Sequence, residues 1–387
     1  MIKRNIEKEF MMLLSEYSVL TLLGPRQSGK TTLAKALLPN YDYSNLEEPD
    51  VRMYATEDPK GYLRQFHGNV IIDEIQRVPE LLSYIQVIVD EDDRPGRFVI
   101  TGSHQLELRA AVSQSLAGRT SILHLLPLSI EELKGAGITF DSFEEYAVRG
   151  FLPKIYDKNL RFTTACSNYY QTYIERDVRQ IINLKNVELF EKLVMLMAGR
   201  VGQLIDYSSL ANDIGVNAKT VREWLSILEA SYILFKLPPY FNNFGKRAIK
   251  SPKYYFTDVG VLCFLLGIRT AQQVSRDPLV GAIFENLIII DTLKERYNLG
   301  EMAGLYFFRD SHGNEVDLLA QVGKELIVAE VKSAATFKPS LLKGLKSFCE
   351  VSNTNTNPFL IYNGNPMSMS NGIEVKHFSD IHNIFSE

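Results

Sequence analysis

A short glycine-rich run near the start of the chain constrains its fold more than any other feature. The run GPRQSGKTT fits the pattern Gly-x-x-x-x-Gly-Lys-Ser/Thr, with an apolar run before it and a helix-like run after it. The glycines let backbone N–H groups turn towards phosphate oxygens, and the following helix adds the positive end of its dipole. We therefore predict a nucleotide phosphate site, in which Lys30 reaches the β- and γ-phosphates and Thr31 binds Mg²⁺. The predicted loop comprises Gly24, Pro25, Arg26, Gln27, Ser28, Gly29, Lys30, Thr31 and Thr32.

An acidic pair follows a second apolar run, as a nucleotide hydrolase requires. Residues 70–72 form a continuous apolar stretch, which is typical of a strand that is buried on both faces. Asp73 would hold Mg²⁺ at the end of this strand, directly or through water. Glu74 would act as a catalytic residue by polarising the attacking water. Downstream of a phosphate loop, this pair predicts hydrolysis of ATP.

Three more residues of this region are candidate catalytic residues. A further apolar strand ends in Thr101 and Ser103, and either hydroxyl would sense the γ-phosphate; both also fit a turn that caps the next helix. Arg119 would stabilise transition-state charge, and a solvated surface arginine is the other interpretation. The sequence does not decide between these interpretations, nor whether Arg119 acts in its own chain or on a neighbouring subunit.

Strand-like and helix-like runs alternate through the first 150 residues of the chain. This alternation predicts an α/β fold with a mostly parallel sheet and helices on both faces. The phosphate site then lies at the carboxyl ends of the strands. The strand-like runs are residues 18–23, 41–45, 70–73, 97–101 and 120–125.

The middle of the chain has the pattern of a winged helix-turn-helix. Residues 208–215 and 218–229 predict two helices, and residues 232–237 and 253–256 predict the two strands of a wing. The wing region is basic and contains no acidic residue. It would grip DNA phosphates, or the module would serve as a spacer or a protein-docking surface. The cations concerned are Lys236, Lys246, Arg247, Lys250 and Lys253.

A predicted β-hairpin near the C-terminus brings acidic residues and a lysine together. Asp317 and Glu330 would meet across the hairpin, and Lys332 would share the strand face of Glu330. This is the arrangement of PD-(D/E)xK nucleases, in which two acids bind Mg²⁺ and the lysine stabilises negative charge. Glu285, on a helix-like run, matches the additional acid of that fold. The alternative interpretation is a solvated hairpin with ordinary cross-strand pairs.

Composition limits the classes of protein that remain. The chain has 387 residues, a net charge of −4 and a pI of about 6.0, so two or three domains are expected and DNA contact needs a local basic patch. No apolar run is long enough to span a membrane, and the charged start does not fit a secretory signal. Three scattered cysteines fit neither a metal site nor a disulfide framework, so we predict a cytoplasmic protein.

Taken together, these motifs resemble those of prokaryotic AAA-type ATP-binding proteins that carry a C-terminal domain of unknown function. The resemblance covers nearly the whole chain and implies an AAA-type ATPase domain at 1–150. It also implies a helical linker with a winged helix at 151–258 and a nuclease-like domain at 259–387. One departure is RGFLP, where Phe151 replaces a second glycine. The matching pieces are GPRQSGKTTL, VIIDEIQRVPELL, FVITGSHQ, SLAGRT, LLPLSIEEL, YIERDV, YFTDVGVL, GAIFENLI and EVDLLAQVGKELIVAEVKS.

Two functions are consistent with this organisation. The first is a Mg²⁺-dependent ATPase that acts on or near DNA, with an ATP-regulated nuclease as its strongest form. The second is a nucleotide-switched binding protein with slow hydrolysis and an inactive nuclease-like platform. ATP-dependent assembly into an oligomer and a protein partner fit either function.

Overall fold

The computed structural model describes residues 1–103, 115–173, 187–240, 251–352, 354–369 and 372–386. Within these ranges the chain forms two compact units. The first unit contains Met1–Leu128 with Ala230–Tyr232 and Tyr297–Gly300, and the second contains the remaining described residues. The predicted wing cations Lys246, Arg247 and Lys250, and most of the YIERDV piece, lie outside the described ranges.

The first unit is built on a five-stranded parallel sheet, as the sequence predicts. The strand order is β2-β3-β4-β1-β5, and each neighbouring pair runs parallel. The strands are β1 (Val19–Leu23), β2 (Asp42–Asn45), β3 (Val70–Asp73), β4 (Phe98–Gly102) and β5 (Thr120–His124). The helices are α1 (Glu7–Glu16), α2 (Lys30–Leu37), α3 (Pro49–Glu57), α4 (Pro59–Arg64) and α5 (Leu81–Glu91).

Burial explains why the central strands have continuous apolar sequences. Every residue of β1, β3 and β4 is buried, so no alternation of polar and apolar residues is needed. One core cluster joins Leu20 and Leu22 of β1 to Phe10 of α1 and Leu33 of α2. The phosphate loop connects β1 to α2 and is therefore anchored at both ends by buried elements.

Helices dominate the chain after β5. Two of them, Tyr207–Ile214 and Ala218–Ala230, flank a turn at Gly215, whose φ of 92° lies in the left-handed region that favours glycine. Helices α6 to α15 are Ile130–Gly135, Phe143–Arg149, Pro153–Asp157, Phe162–Tyr169, Val187–Gly199, Tyr207–Ile214, Ala218–Ala230, Val259–Leu265, Ala271–Arg276 and Val280–Asn298. Strands β6 (Leu234–Leu237) and β7 (Lys253–Phe256) pair antiparallel. These helices and strands occupy the positions expected for a winged helix, and that fold name stays a prediction.

A close approach of two glycines lies at the departure noted in RGFLP. A Cβ on Gly150 would lie 2.6 Å from Asp258 Oδ1 and 2.9 Å from the Cα of Gly260. The N–H of Phe151 donates to Asp258 Oδ2 at 2.7 Å, and its side chain is buried. Phe151 is therefore accommodated in the core, and the turn keeps its backbone hydrogen bond to Asp258.

The C-terminal part forms a mixed six-stranded sheet in the order β12-β13-β11-β10-β9-β8. Strands β9 and β10 form the predicted hairpin, and the register that pairs Leu318 with Ala329 places Asp317 opposite Glu330. The strands are β8 (Leu305–Arg309), β9 (Glu315–Val322), β10 (Glu325–Lys332), β11 (Thr356–Tyr362), β12 (Met367–Ser368) and β13 (Glu374–His377), with α16 (Lys343–Val351) before β11. Across the described ranges, no helix has the length and apolar character that crossing a membrane requires.

Candidate functional site

Two glycines shape the loop between β1 and α2. A Cβ on Gly24 would lie 2.1 Å from the carbonyl oxygen of Leu125, so no larger residue fits there. Gly29 adopts a φ of 96° directly before α2. The ammonium of Lys30 donates to the carbonyls of Gly24 and Pro25, each at 2.9 Å, and is held inside the loop. Burial lowers the pKa of Lys30, while the charges of Glu74 and Asp73 oppose that shift.

An arginine that the sequence analysis missed supports this loop from outside. Arg4 is 5% exposed, and its guanidinium donates to the carbonyls of Ser28 at 2.8 Å and Leu126 at 2.7 Å. The hydroxyl oxygen of Ser28 is buried and has no hydrogen-bond partner within the described part of the chain. A buried hydroxyl of this kind is costly unless it has a partner, and a bound phosphate would supply one.

Asp73, at the end of β3, is surrounded by hydroxyl groups. Thr31 donates to its Oδ2 at 2.8 Å and Tyr43 donates to the same oxygen at 2.9 Å, while Thr101 donates to Oδ1. Thr31 and Asp73 thus present neighbouring oxygens of the kind that Mg²⁺ prefers, and they fit the predicted metal site. Tyr43 was not identified from the sequence.

Glu74 has a strained backbone and an ordered carboxylate. Its φ of 59° and ψ of 48° are left-handed, which is uncommon outside glycine and costs on the order of 1–3 kcal/mol. Its N–H donates to Thr101 Oγ1 at 3.2 Å, and Ser103 donates to its Oε2 at 3.2 Å. Gln76 donates to both Ser103, at 3.1 Å, and Glu74. Both proposed γ-phosphate sensors therefore contact the acidic pair; the helix that they were alternatively expected to cap would begin in residues 104–114, outside the described ranges.

Two arginines lie on the same edge of the sheet as the loop. Glu47 accepts from Arg26 of the loop at 2.7 Å and from Arg77, just after Glu74, at 3.0 Å. Partial burial raises the pKa of Glu47, but the two guanidinium groups outweigh it and hold the pKa below its usual value. The pairing with Glu47 keeps both arginines beside the phosphate loop.

Arg119 lies at the amino-terminal ends of the strands, whereas the phosphate loop lies at their carboxyl ends. It immediately precedes β5, which runs parallel to β1, whereas the phosphate loop follows β1. The length of a strand of 5 residues separates these two ends of the sheet by about 16 Å. The guanidinium of Arg119 pairs with Asp90. Arg119 therefore cannot reach the phosphate loop of its own chain, and a role on a neighbouring subunit stays a prediction.

The structure brings together Asp317, Glu330 and Lys332, as expected from the hairpin. The ammonium of Lys332 lies 2.9 Å from Asp317 Oδ2 and 2.8 Å from Glu330 Oε1. Asp317 Oδ2 also accepts from the N–H of Val331 at 2.9 Å. Burial, followed by the charge of Asp317, raises the pKa of Glu330. Lys332 thus bridges the two acids that were predicted to hold a metal ion.

Glu285 lies against a second lysine. Lys253 is 3% exposed and lies 3.0 Å from Glu285 Oε1 and 2.6 Å from Glu315 Oε1. Tyr255 donates to Glu285 Oε1 at 2.5 Å. Burial lowers the pKa of Lys253, but Glu285, the Tyr255 phenol and two hairpin carboxylates outweigh it and the net pKa is well above the usual value.

These contacts do not fit a ready-made metal site. Within the described ranges, no three side chains of His, Cys, Asp or Glu are grouped so that they could hold a metal ion. One acceptor is left over, because Glu330 Oε2 is buried without a hydrogen-bond partner. The cluster thus has the acids of the predicted nuclease-like constellation, with ammonium groups between them.

The same contacts change the interpretation of the predicted DNA-binding cations. Lys253 is buried and paired with two carboxylates, so it is not available to a DNA phosphate. On α12, Lys219 lies 3.8 Å from Glu223, and the guanidinium of Arg222 lies over the ring of Tyr207 at 4.9 Å. Lys219 is thus opposed by Glu223, and Arg222 lies over an aromatic ring. These two cations therefore do not form an unopposed basic surface on α12.

Comparisons with known proteins divide the chain into three parts. The model of the AAA domain matches residues 16–134, a domain of unknown function (DUF8612) matches residues 140–272, and a second one (DUF4143) matches residues 280–380. The uncharacterized protein Rv2008c of Mycobacterium tuberculosis is 30% identical over 350 residues, which cover 89% of this chain and 76% of that protein. An uncharacterized protein of Haemophilus influenzae is 25% identical over 279 residues, which cover 67% and 64%. Among solved structures, the Walker-type ATPase of Pyrococcus abyssi is similar with a TM-score of 0.46 and 14% identity, over 69% of this chain and 96% of that one.

The parallel sheet, the phosphate loop and the matching family model define an AAA-type P-loop ATPase domain, which is a nucleotide-binding fold. The chain as a whole belongs to the same protein family as Rv2008c of Mycobacterium tuberculosis.

Proposed function

We propose that this protein binds and hydrolyses ATP with Mg²⁺ at the phosphate loop. The observation that carries this proposal is the set of hydrogen bonds that joins Thr31, Asp73 and Thr101 beside Lys30. In this proposal the oxygens of Thr31 and Asp73 would bind Mg²⁺, the ammonium of Lys30 would bind phosphate, and the hydroxyl of Thr101 would sense the γ-phosphate. An ordinary surface turn would not need this convergence of buried polar groups.

Each residue has a proposed part in the reaction. Thr31 and Asp73 would hold Mg²⁺, which would supply positive charge to the β- and γ-phosphates. Glu74 orients and polarises the attacking water, and Ser103 and Gln76 hold its carboxylate in place. Lys30 exchanges its loop carbonyls for phosphate oxygens when ATP enters. The buried hydroxyl of Ser28 then gains an acceptor.

We further propose that ATP changes how this protein engages a partner, so that it works as a nucleotide-switched binding protein. The pairing of Glu285 and Glu315 with Lys253, a lysine that the nuclease pattern does not contain, supports this over a constitutive nuclease. A predicted winged helix at 151–258 and a nuclease-like domain at 259–387 would provide the binding surfaces. DNA, a protein, or both are candidate partners, and a cytoplasmic location remains part of the proposal.

An ATP-regulated nuclease is the second candidate. It is favoured by one observation, the register that places Asp317 opposite Glu330 with Lys332 in contact with both. That geometry is expected of a PD-(D/E)xK core.

One experiment on ATP turnover tests the first proposal. Wild type and Asp73→Asn are compared for ATP binding and phosphate release with and without Mg²⁺. We expect wild-type turnover to require Mg²⁺, and Asp73→Asn to lose about 100-fold or more. Equal turnover of the two proteins would overturn the proposed site.

A second experiment separates the two candidates. Single- and double-stranded DNA and RNA are incubated with wild type and Asp317→Ala, with ATP, with ADP and without nucleotide. Cleavage by wild type alone supports the nuclease. Lack of cleavage in every state, together with partner capture that differs between ATP and ADP, supports the switch.

A further inference from the structure

A lysine from β7 is buried among the acids of the C-terminal sheet. Lys253 lies at the start of a strand paired with β6, whereas its partners Glu285 and Glu315 lie on α15 and β9. Its ammonium contacts one carboxylate oxygen of each partner, at 3.0 Å and 2.6 Å. The sequence motif that predicted the acids contains no such lysine, since Lys253 precedes Glu285 by 32 residues and belongs to another module.

The two partners of Lys253 depend on it to different extents. Glu315 has a second cation, because Arg309 lies 3.1 Å from its Oε2. Glu285 has no other cation within the described ranges, and its remaining partner is the hydroxyl of Tyr255. A buried carboxylate without a counter-charge is strongly destabilising, so Glu285 needs a cation at this point if it is to stay ionised.

We propose that Lys253 is an internal cation that occupies the place of a divalent metal ion and keeps the acidic cluster closed to metal. The ammonium of Lys253 is the shared counter-charge of Glu285 and Glu315, and Lys332 is the shared counter-charge of Asp317 and Glu330. A metal ion would have to displace Lys253 before Glu285 could join the hairpin acids as a ligand. β7 therefore controls whether the cluster can take up metal.

This inference does not rest on ATP hydrolysis or on cleavage of nucleic acid. It predicts that removal of the ammonium alone lowers the stability of the fold and makes that stability depend on metal. The test uses Lys253→Met in the full chain, because methionine retains most of the length of the side chain without its charge. Thermal unfolding is followed by circular dichroism without nucleotide, with and without millimolar Mn²⁺.

We expect Lys253→Met to lower the Tm by about 5–10 °C without metal, because one carboxylate is left buried and unpaired. Mn²⁺ is expected to restore at least half of that loss and to move the wild-type Tm by less than about 1 °C. Electron paramagnetic resonance should detect one more bound Mn²⁺ in the variant than in wild type. If Lys253→Met does not fold, refolding yields with and without Mn²⁺ replace the Tm comparison.

Two further variants show that the response comes from this cluster. In Lys253→Met with Glu285→Gln, the charge and its partner are removed together, so the Tm should recover and the response to Mn²⁺ should disappear. Lys236→Met, on the paired strand β6, is the matched control and should behave as wild type. The proposal is overturned if wild type responds to Mn²⁺ as strongly as Lys253→Met, if Lys253→Met gains neither stability nor refolding yield, or if the double variant still responds.

Discussion

Two carboxylate sites in this protein differ in the groups that contact them. Asp73 in the first unit accepts hydrogen bonds from three hydroxyls, those of Thr31, Tyr43 and Thr101. The hairpin acids Asp317 and Glu330 instead contact the ammonium of Lys332. Hydroxyl donors orient a carboxylate and leave its negative charge in place, whereas an ammonium offsets part of that charge. A cation can therefore join the first site directly, but at the second it must compete with lysine.

The same difference applies to the lysine of each region. Lys30 donates to neutral carbonyls of its own loop, which it would exchange for phosphate oxygens in the proposed reaction. Lys253 and Lys332 are each paired with two carboxylates, which hold them more strongly than carbonyls do. One region is thus arranged to receive a charged ligand and the other is neutralised from within.

The largest effect is expected from Lys30→Ala. Loss of the ammonium removes the charge that meets the β- and γ-phosphates, so ATP hydrolysis should fall by about 100-fold or more, with weaker ATP binding. Isothermal titration and a phosphate-release assay measure both quantities. Lys60→Ala, an exposed lysine on α4, is the control and should leave both unchanged. Intact ATP affinity and hydrolysis in Lys30→Ala would remove the distinction between the two regions.

Glu74→Gln should separate binding from hydrolysis. The amide retains hydrogen bonds but cannot polarise water as a carboxylate does, so turnover should fall by about 10²–10³-fold while ATP affinity is retained. Single-turnover kinetics with labelled ATP measure the step itself. Glu80→Gln, an exposed glutamate at the start of α5, should turn over ATP as wild type does. Normal turnover by Glu74→Gln would show that Glu74 is not the catalytic carboxylate.

Substitution of Arg77 and of Arg119 should affect ATP turnover differently, because the two arginines lie at opposite ends of the strands. Arg77 shares Glu47 with the phosphate loop, so Arg77→Ala should slow turnover by at least about tenfold at any protein concentration. Arg119→Ala should turn over ATP at the wild-type rate as a dilute monomer and should slow turnover only where subunits associate. Turnover measured across a dilution series, with light scattering to define the oligomeric state, checks this. A concentration-independent loss in Arg119→Ala would contradict the placement of Arg119.

The smallest effect concerns Glu295 on α15, where burial raises the carboxyl pKa to about 7. The folded state then binds a proton that the unfolded state releases near pH 4.5, so this group's contribution to stability falls as the pH rises from about 4.5 to 7. In Glu295→Gln that loss should vanish, a difference on the order of 1–3 kcal/mol across the range. Urea unfolding at several pH values measures it, with Glu350→Gln as an exposed control. Parallel pH profiles for wild type and Glu295→Gln would show that Glu295 does not titrate here.

Local patterns predicted most of the first unit. The five strands begin and end within one residue of the expected runs, because buried parallel strands have continuous apolar sequences. The phosphate loop and Asp73 could be proposed from the sequence because their spacing along the chain is itself the signal. The hairpin that brings Asp317 to Glu330 was found for the same reason, since a short turn sets its register.

Contacts between distant segments were not predictable in this way. Arg4 reaches Leu126 across 122 positions, and the pairing of Lys253 with Glu285 depends on how β7 packs against α15. The sequence indicates only that Tyr43 lies in a strand, and its contact with Asp73 depends on the pairing of β2 with β3. In each case a single polar side chain in a segment gives no periodic signal, so only the packed structure identifies its partner.

The position of Arg119 has a consequence for symmetry. If this arginine acts on ATP, one subunit must present the amino-terminal edge of its sheet to the carboxyl-terminal edge of the next. A two-fold dimer would need both edges in a single interface, whereas a head-to-tail arrangement uses each edge once. Repetition of such a contact leads to a closed ring or an open helix. If Arg119 acts on ATP, its separation from its own phosphate loop thus favours cyclic or helical assembly over a two-fold pair.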